Sequence, residues 1–350
     1  MIHSVGQCGR RVFGLLPAER LERQTALSEL TVVAHAGAIL DDAAVNWLLD
    51  NPGTMIVADN GRPLALAVDR VRTRAAIAAV GGEPGDFPTV TTEALGQRYI
   101  RKLRSRSQML ALSLDDVSVA TAERLLFAKV YKGVTDVVTK WLWPEPALWV
   151  TRLAARLAIA PNAVTFVGIA LTMFAGWLFY SGSLAAALAA AWAMTFLDTV
   201  DGKLARVTIT SSPVGNLLDH GTDIVHPPLW WLALAHGLAI TDPAASGTIW
   251  NACWIILGAY VVGRAVEIAF HRLFGFNSFL FARFDSRFRL IVARRNILLL
   301  IMSAGLLAGR PTAAFVLCAG WSVISTLIQT VRIAQAALAA RGRMLKPWIA

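Results

Sequence analysis

Four aspartates between residues 198 and 223 have a spacing that could support chemistry. Asp198 and Asp201 are three residues apart, and Asp219 and Asp223 are four apart. On a helix, residues at these spacings lie on one face. Two such helices facing each other would gather four carboxylates beside apolar flanks, where like charges repel and are poorly solvated. Divalent cations would relieve the repulsion, and oxygen-only ligands favour Mg²⁺, Mn²⁺ or Ca²⁺ over zinc.

Small and basic residues lie on the same helical turns as these acids. Gly202, Ala205 and Gly215 leave room for a ligand to approach the helix backbone. Arg206 supplies a planar cation that suits phosphate, and Lys203 lies three residues before it. Carboxylates, bound metal ions, an arginine and bare helix surface together indicate a site for a phosphate-bearing nucleotide.

The full pattern, D-x2-D-G-x2-A-R-x8-G-x3-D-x3-D, resembles the signature of the CDP-alcohol phosphatidyltransferase family, and every fixed position is filled. The resemblance implies a membrane enzyme of phospholipid synthesis that moves a substituted phosphoryl group from a CDP-linked donor to an alcohol, releasing CMP. CDP-diacylglycerol is the expected donor. Two Mg²⁺ or Mn²⁺ ions would be held by Asp198, Asp201, Asp219 and Asp223, with Asp223 also the general base. The residues alone do not separate base from ligand among the four.

Further contacts follow from the same resemblance. The diphosphate and nucleotide slot would be lined by Gly202, Lys203, Ala205, Arg206 and Gly215. A Pro161-Asn162…Thr165 element is similar to the one that opens the family's first transmembrane helix, so Asn162 and Thr165 are expected near the nucleotide. Pro161 is equally an ordinary first residue of a helix.

The composition indicates an integral membrane protein. Of 350 residues, 56% are hydrophobic and only 16% are charged, which predicts several membrane spans. The net charge is +10, and the basic residues lie between apolar stretches. This pattern indicates positively charged cytoplasmic loops that face anionic lipid headgroups, rather than a nucleic-acid partner. Cys8, Cys253 and Cys318 lack the spacing of a disulfide framework or a metal site. Met1–Arg11 lacks an apolar signal core, so we expect the first segment to stay in the cytoplasm.

The chain is predicted to be mainly α and to divide into four parts. Residues 1–120 form a small soluble α/β domain without catalytic function. Residues 121–160 form juxtamembrane interfacial helices. Residues 161–335 form a six-span polytopic transmembrane domain, and residues 336–350 form a basic cytoplasmic tail.

The first part alternates helix and strand signals. Helices are predicted at Pro17–Gln24, Asp41–Leu49 and about Glu93–Arg106, and strands at Leu30–Ala34, Thr54–Ala58 and Leu64–Val68. This loosely resembles a degenerate sugar-nucleotide-type nucleotidyltransferase domain, but no Gly-rich loop follows a strand. We therefore expect a structural, regulatory or docking role, with an active cytidylyltransferase as the alternative.

An amphipathic helix is predicted before the first span. Trp149, Leu153 and Leu157 form one helical line, with Arg152 and Arg156 beside it. This pattern is typical of a helix lying on the bilayer surface. A packed helix of the soluble domain is the alternative.

Six apolar stretches have the length that a bilayer core requires. They lie at about 162–180, 183–200, 214–238, 248–270, 293–309 and 312–334. His226-Pro227-Pro228 is expected to kink the third. Basic residues concentrate in alternate connections, including the predicted 201–213 loop, which places both termini and the aspartates on the cytoplasmic side of the inner membrane.

The predicted 271–295 loop is rich in arginine, which positive-inside anchoring alone would explain. A phosphate on the acceptor or on a lipid is the functional alternative, with Arg264, Arg287, Arg294 and Arg295 as candidates. Arg264 and Glu267 are three residues apart inside the fourth span and could pair with each other.

Two other classes of protein remain open from the residues. A metal-ion transporter would place its acids near the membrane midplane, whereas these acids lie at helix ends beside Arg206. A non-catalytic lipid-binding protein would not need the complete motif. The family resemblance also implies a homodimer.

Overall fold

The computed structural model describes residues 1–211, 213–341 and 343–350, without the side chains of residues 213, 214 and 216–220. The chain forms two compact units, and each is made of several segments. The first comprises Met1–Gly133, Leu148–Ile159 and Lys203–Ser211, and the second Val134–Ala147, Ala160–Gly202 and Ser212–Ala350.

The first unit is an α/β arrangement around a five-stranded sheet. Its elements are β1 (Ile2–Val5), α1 (Pro17–Gln24), β2 (Thr31–His35), β3 (Ala38–Leu40), α2 (Asp42–Asp50), β4 (Met55–Val57), β5 (Pro63–Val68), α3 (Thr73–Val80), β6 (Thr89–Thr91), β7 (Gln97–Ile100), β8 (Ser105–Gln108), β9 (Ala111–Ser113) and α4 (Val119–Lys129). The sheet order is β1-β2-β5-β4-β6. The β1–β2 and β4–β6 pairs are parallel, and β2–β5 and β4–β5 are antiparallel.

Helices cover both faces of this sheet because its central strands are apolar on both sides. Val32 belongs to the cluster that contains Leu48 of α2. Its neighbour Val33 belongs to the cluster that contains Ala76 and Val80 of α3. Successive side chains of a strand point to opposite faces, so β2 contributes to two cores.

The three predicted strands and the first two predicted helices are present in this unit, within one or two residues. The helix expected over Glu93–Arg106 is wrong. This stretch forms β7 and β8, an antiparallel pair in which Tyr99 lies opposite Arg106. Basic residues suggested a helix, but the stretch has no apolar stripe of helical period, and cross-strand pairing decides its structure.

The second unit is helical. Helix α5 (Pro144–Arg156) begins in it, and it contains α6 (Pro161–Tyr180), most of α7 (Leu184–Val207), α8 (Pro213–Thr241), α9 (Ser246–Phe274), α10 (Arg283–Phe288), α11 (Arg295–Leu307) and α12 (Pro311–Ala339). A glycine allows one very close contact between two of these helices. At Gly237 of α8, a Cβ atom would lie 1.9 Å from the Phe179 carbonyl oxygen of α6, so only glycine permits this approach.

Four helical runs among the described residues are long and apolar enough to cross a membrane: Pro161–Tyr180, Leu184–Val207, Pro243–Phe274 and Pro311–Ala339. Helix α11 is apolar but has only 13 residues, about 20 Å of helix against a bilayer core of about 30 Å. Helix α8 lies at the predicted third span and continues through Pro227 and Pro228. The count of six spans therefore stays a prediction.

Three predicted connections are shorter than expected. Residues 201–207 of the expected 201–213 loop belong to α7, because the buried residues Val200, Leu204 and Val207 continue the apolar stripe of that helix. The expected 271–295 loop contains the end of α9 and all of α10. The expected tail from 336 is helical as far as Ala339.

Helix α5 exposes the apolar line predicted from the sequence. Trp149 is 71% exposed and Leu153 is 57% exposed, whereas Ala147 and Leu148 are buried. Arg152 lies beside this line and pairs with Glu123 of α4 at 2.8 Å. An exposed aromatic and aliphatic line on a helix is what a bilayer surface would cover, so the interfacial role stays a prediction with this support.

Replacement of Glu123 by alanine should destabilise the first unit by about 3–5 kcal/mol. Glu123 is 2% exposed, pairs with Arg152, and accepts a hydrogen bond of 3.1 Å from the backbone N–H of Phe13. Phe13 has a φ of 47°, an unfavourable value for its residue type that this contact helps to hold. Chemical unfolding in detergent measures the change, and the exposed Glu83→Ala should shift it by less than about 0.5 kcal/mol. Equal effects of the two variants would contradict the pairing.

Candidate active site

Helix α7 carries the first two aspartates of the motif on one face. Asp198 and Asp201 are one turn apart, and Asp201 is only 6% exposed. The Thr165 hydroxyl of α6 donates to Asp201 Oδ2 at 2.8 Å. Thr165 thus lies beside the acidic motif, while Asn162 is exposed at the start of the same helix. Burial with a donating hydroxyl holds the Asp201 carboxylate in one orientation.

Helix α8 carries the second half of the motif. Gly215 lies in its first turn, and Asp223 lies about two turns further along. The side chain of Asp219 lies outside the described residues. The side chain of Asp223 is 48% exposed, against 23% for Asp198. Among the described motif aspartates, Asp223 is therefore the most accessible to a second substrate.

Arg295, the first residue of α11, joins the two helices. Its Nη2 donates to Asp198 Oδ2 at 2.5 Å, and its Nη1 donates to Asp223 Oδ1 at 3.0 Å. The Arg295 side chain is only 15% exposed. The sequence placed Arg295 among candidates for a substrate phosphate, whereas the structure places it on the motif carboxylates. The positive end of the α11 dipole also favours negative charge here.

His226 packs beside this ion pair. Its Nδ1 lies 2.6 Å from the Thr222 carbonyl oxygen, and its Nε2 lies 3.3 Å from Arg295 Nη1. The imidazole contacts the Trp230 ring edge to face, with centroids 4.8 Å apart. His226 therefore both packs in the helical unit and contacts the ion pair.

Asp136 is a buried acid that sequence reasoning missed. It accepts hydrogen bonds of 3.0 Å from the Thr139 N–H and from the Asn296 amide. Burial opposes its ionisation, but the charge of Arg289 and these hydrogen bonds outweigh burial and hold the pKa of Asp136 below its usual range. The negative charge of Asp136 also acts on Arg295. Asp136 and Thr139 have helix-capping spacing, but no sequence signal connects them with residues 289–296.

Three motif residues expected at the diphosphate belong to the first compact unit. They are Lys203, Ala205 and Arg206. The Lys203 ammonium lies 3.7 Å from the centroid of the Tyr131 ring, and this side chain is 4% exposed. A cation held on an aromatic face in a buried setting is well oriented.

Two of the other candidate arginines, Arg264 and Arg294, form a separate cluster around Glu267. The predicted pair is confirmed, because Arg264 lies 3.4 Å from Glu267. Arg294 pairs with the other oxygen of Glu267 and lies over the Phe279 ring, with 5.4 Å to its centroid. Arg287 is exposed on α10. The structure thus brings Arg264 and Arg294 together and leaves Arg287 and Arg295 elsewhere.

An open groove of about 320 Å³ runs along the side of α8 and includes His226, which contacts Arg295. Its lining consists of Thr172 of α6 and of Gly221, Thr222, Val225, His226 and Leu229 of α8. The lining is mainly apolar, so the groove can take an apolar chain beside a charged centre.

The carboxylates suit a divalent cation by their donor chemistry. Within the described residues, no three acidic, His or Cys side chains surround one metal-sized position. Asp198 and Asp223, however, already share one cation, the Arg295 guanidinium. Carboxylate oxygens on a common cation match the ligand preference of Mg²⁺ and Mn²⁺.

A model of the CDP-alcohol phosphatidyltransferase family matches residues 158–340, more than half of the 350-residue chain. The chain belongs to this family. The family match contains α6 to α12 in full, so the resemblance carried by the aspartate motif is confirmed. Family membership and four apolar helices together make it an integral membrane protein.

Two curated proteins resemble parts of the chain. Cholinephosphotransferase 1 of Gallus gallus is 34% identical over 120 residues, 31% of this chain and 35% of that protein. Archaetidylinositol phosphate synthase of Pyrococcus horikoshii is 37% identical over 81 residues, 23% of this chain and 42% of that protein. The chain thus matches less than half the length of either relative.

A solved structure also aligns with this chain. It is the phosphatidylinositol phosphate synthase of Mycobacterium tuberculosis with CDP-DAG bound, at a TM-score of 0.40 and 18% identity. The alignment covers 53% of this chain and 91% of that one.

Replacement of Arg295 by methionine should lower the free energy of unfolding by about 3 kcal/mol, because Asp198 and Asp223 lose their shared counter-ion. Arg295→Lys should recover part of the loss, since an ammonium keeps the charge but not the two-pronged geometry. Unfolding in detergent micelles measures both variants. The exposed Arg287→Met is the matched control, and a loss as large in the control would refute the bridging role.

Proposed function

We propose that the protein transfers a substituted phosphoryl group from a CDP-linked lipid donor to an alcohol and releases CMP. The observation that carries this proposal is the convergence of Asp198 of α7 and Asp223 of α8 on one cation. Family membership supplies the reaction class. Phosphoryl transfer needs positioning and charge neutralisation more than covalent chemistry, and a carboxylate-lined cation centre provides both.

Asp198, Asp201, Asp219 and Asp223 would hold two Mg²⁺ or Mn²⁺ ions. When bound, these ions would neutralise the diphosphate of the donor and stabilise the departing CMP. Arg295 would then lose at least part of its contact with the carboxylates. The hydrogen bond from Thr165 would keep the Asp201 carboxylate in its orientation.

Lys203 and Arg206 would bind the diphosphate, because they lie three residues apart on α7 and so share one face. Gly202, Ala205 and Gly215 would leave space for the nucleotide, with Asn162 at the edge of the slot. CDP-diacylglycerol as the donor is supported by the mainly apolar groove that includes His226. An acyl chain in that groove would place the polar headgroup towards the carboxylates.

Asp223 would be the general base that accepts the proton of the acceptor hydroxyl. Its side chain is half-exposed, whereas Asp201 is buried and already accepts from Thr165. An acceptor can therefore reach Asp223 more easily than Asp201. A neighbouring cation favours the charged form of a carboxylate, which is the form that can accept a proton.

The orientation in the membrane and the assembly are also proposals. The basic connections support an orientation in which both termini and the aspartates would lie on the cytoplasmic side of the inner membrane. A phosphate on the acceptor would meet Arg264, Arg287 or Arg294, and a homodimer is expected from the family. The first unit would have no nucleotidyl-transfer activity of its own, because its strands lack a Gly-rich phosphate loop.

Asp223→Asn should abolish turnover, by at least about a thousandfold, and leave donor binding largely intact, because the amide cannot accept the hydroxyl proton. CMP release from CDP-diacylglycerol with Mn²⁺, against inositol, inositol phosphate, glycerol phosphate and serine, measures the rate and names the acceptor. The exposed Asp86→Asn is the control. A wild-type rate in Asp223→Asn would remove the base assignment. If folded wild-type protein released no CMP with any of these acceptors, the proposed donor or this range of acceptors would be contradicted.

A further inference from the structure

The last turn of α7 lies within the first compact unit. Lys203–Ser211 form one unit with residues 1–133 and 148–159. This stretch contains Lys203, Ala205 and Arg206, which are the proposed diphosphate-binding residues. Part of the motif therefore belongs to the α/β unit.

The end of α7 has a conformation that its sequence does not favour. Ile209 has a φ of 53°, in the left-handed region. The Thr210 N–H donates to the Ala205 carbonyl at 2.9 Å, which is the six-to-one bond of a Schellman ending. Glycine is usual at this position, and a β-branched residue is strained there. Other contacts must hold the ending in place.

Two arginines of α1 supply such contacts. Arg20 Nη1 donates to the Val207 carbonyl at 2.6 Å, and Arg23 Nη1 donates to the Thr208 carbonyl at 2.7 Å. They lie three residues apart, so one face of α1 presents both to the helix end. Cations at a helix C-terminus satisfy its last carbonyls and complement its dipole.

Arg20 is unusual because it is 4% exposed. Burial lowers its pKa to about 10, so it stays charged at neutral pH. A buried guanidinium is costly unless its contacts compensate. The contact between Lys203 and the Tyr131 ring, at 3.7 Å, holds the preceding turn of the same helix end. Three contacts within the first unit thus hold the segment from Lys203 to Thr208.

We propose that the first unit acts as a clamp on the C-terminal end of α7, with Arg20 as a positioning residue for Lys203 and Arg206. This inference rests on the proposed function for its effect on the donor. Arg20 does not touch the reacting atoms. It sets the direction of the turn that presents the diphosphate-binding residues, so its loss raises the KM for the donor more than it lowers kcat.

Full-length protein in detergent allows a direct test with Arg20→Met, Arg20→Lys and the double variant Arg20→Met/Ile209→Gly. Hydrogen exchange at Lys203–Ser211 measures the clamp without any substrate. Steady-state kinetics measure KM for CDP-diacylglycerol and kcat. We expect Arg20→Met to speed exchange in this segment and to raise KM about tenfold. Arg20→Lys should recover part of both, and Ile209→Gly should recover part by removing the backbone strain.

Leu48→Ala is the matched control. Leu48 is fully buried in a core cluster of the first unit whose members lie between Ile2 and Ala111, so its replacement destabilises the same unit by creating a cavity. It should leave the KM for the donor unchanged. Equal rises of KM in Leu48→Ala and Arg20→Met would reduce Arg20 to a general stabilising role and overturn the proposal.

Unchanged exchange and unchanged KM in Arg20→Met would also overturn it. Hydrogen exchange separates this inference from the proposed function. Wild-type protein that releases no CMP, yet shows faster exchange at Lys203–Ser211 in Arg20→Met, would contradict the proposed function while supporting the clamp. Normal CMP release, with hydrogen exchange and KM unchanged in Arg20→Met, would support the proposed function and contradict the clamp.

Discussion

The ion pairs of Arg295 with Asp198 and Asp223 are the interaction on which the site depends. Each charge comes from a different helix, α11, α7 and α8, and each helix is largely apolar. Carboxylates in such surroundings repel each other unless a cation lies between them. The guanidinium fixes the distance between the two acidic helices, and the dipole of α11 acts in the same direction.

Contacts around these ion pairs also hold α7 and α11 in place. Asp136 is bound by Thr139 and Asn296 and adds negative charge near Arg295. Trp143 packs against Trp192 and Phe196 of α7, which fixes the juxtamembrane segment on that helix. Such surrounding contacts hold the carboxylates in place, because loose carboxylates would repel each other and separate.

Sequence reasoning reached the acidic motif because its chemistry depends on residue spacing along single helices. It also reached the pair of Arg264 with Glu267, for the same reason. It missed the partners of Arg295, which lie 97 and 72 residues away in the chain. The predicted end of α7 came too early, because the charged residues Asp201 and Lys203 interrupt the buried apolar stripe that continues to Val207. The β7–β8 pair was missed because cross-strand partners outweighed local helix preference.

Counting bound Mn²⁺ by electron paramagnetic resonance tests the cation centre most directly. Full-length protein is titrated with Mn²⁺ in the presence of CDP-diacylglycerol, beside Asp201→Asn and the exposed Asp86→Asn. We predict about two bound ions per chain for the wild type and for Asp86→Asn, and a loss of bound ions in Asp201→Asn. Wild-type protein that leaves all Mn²⁺ free, or an Asp201→Asn variant that binds as the wild type does, would contradict a metal centre at these carboxylates.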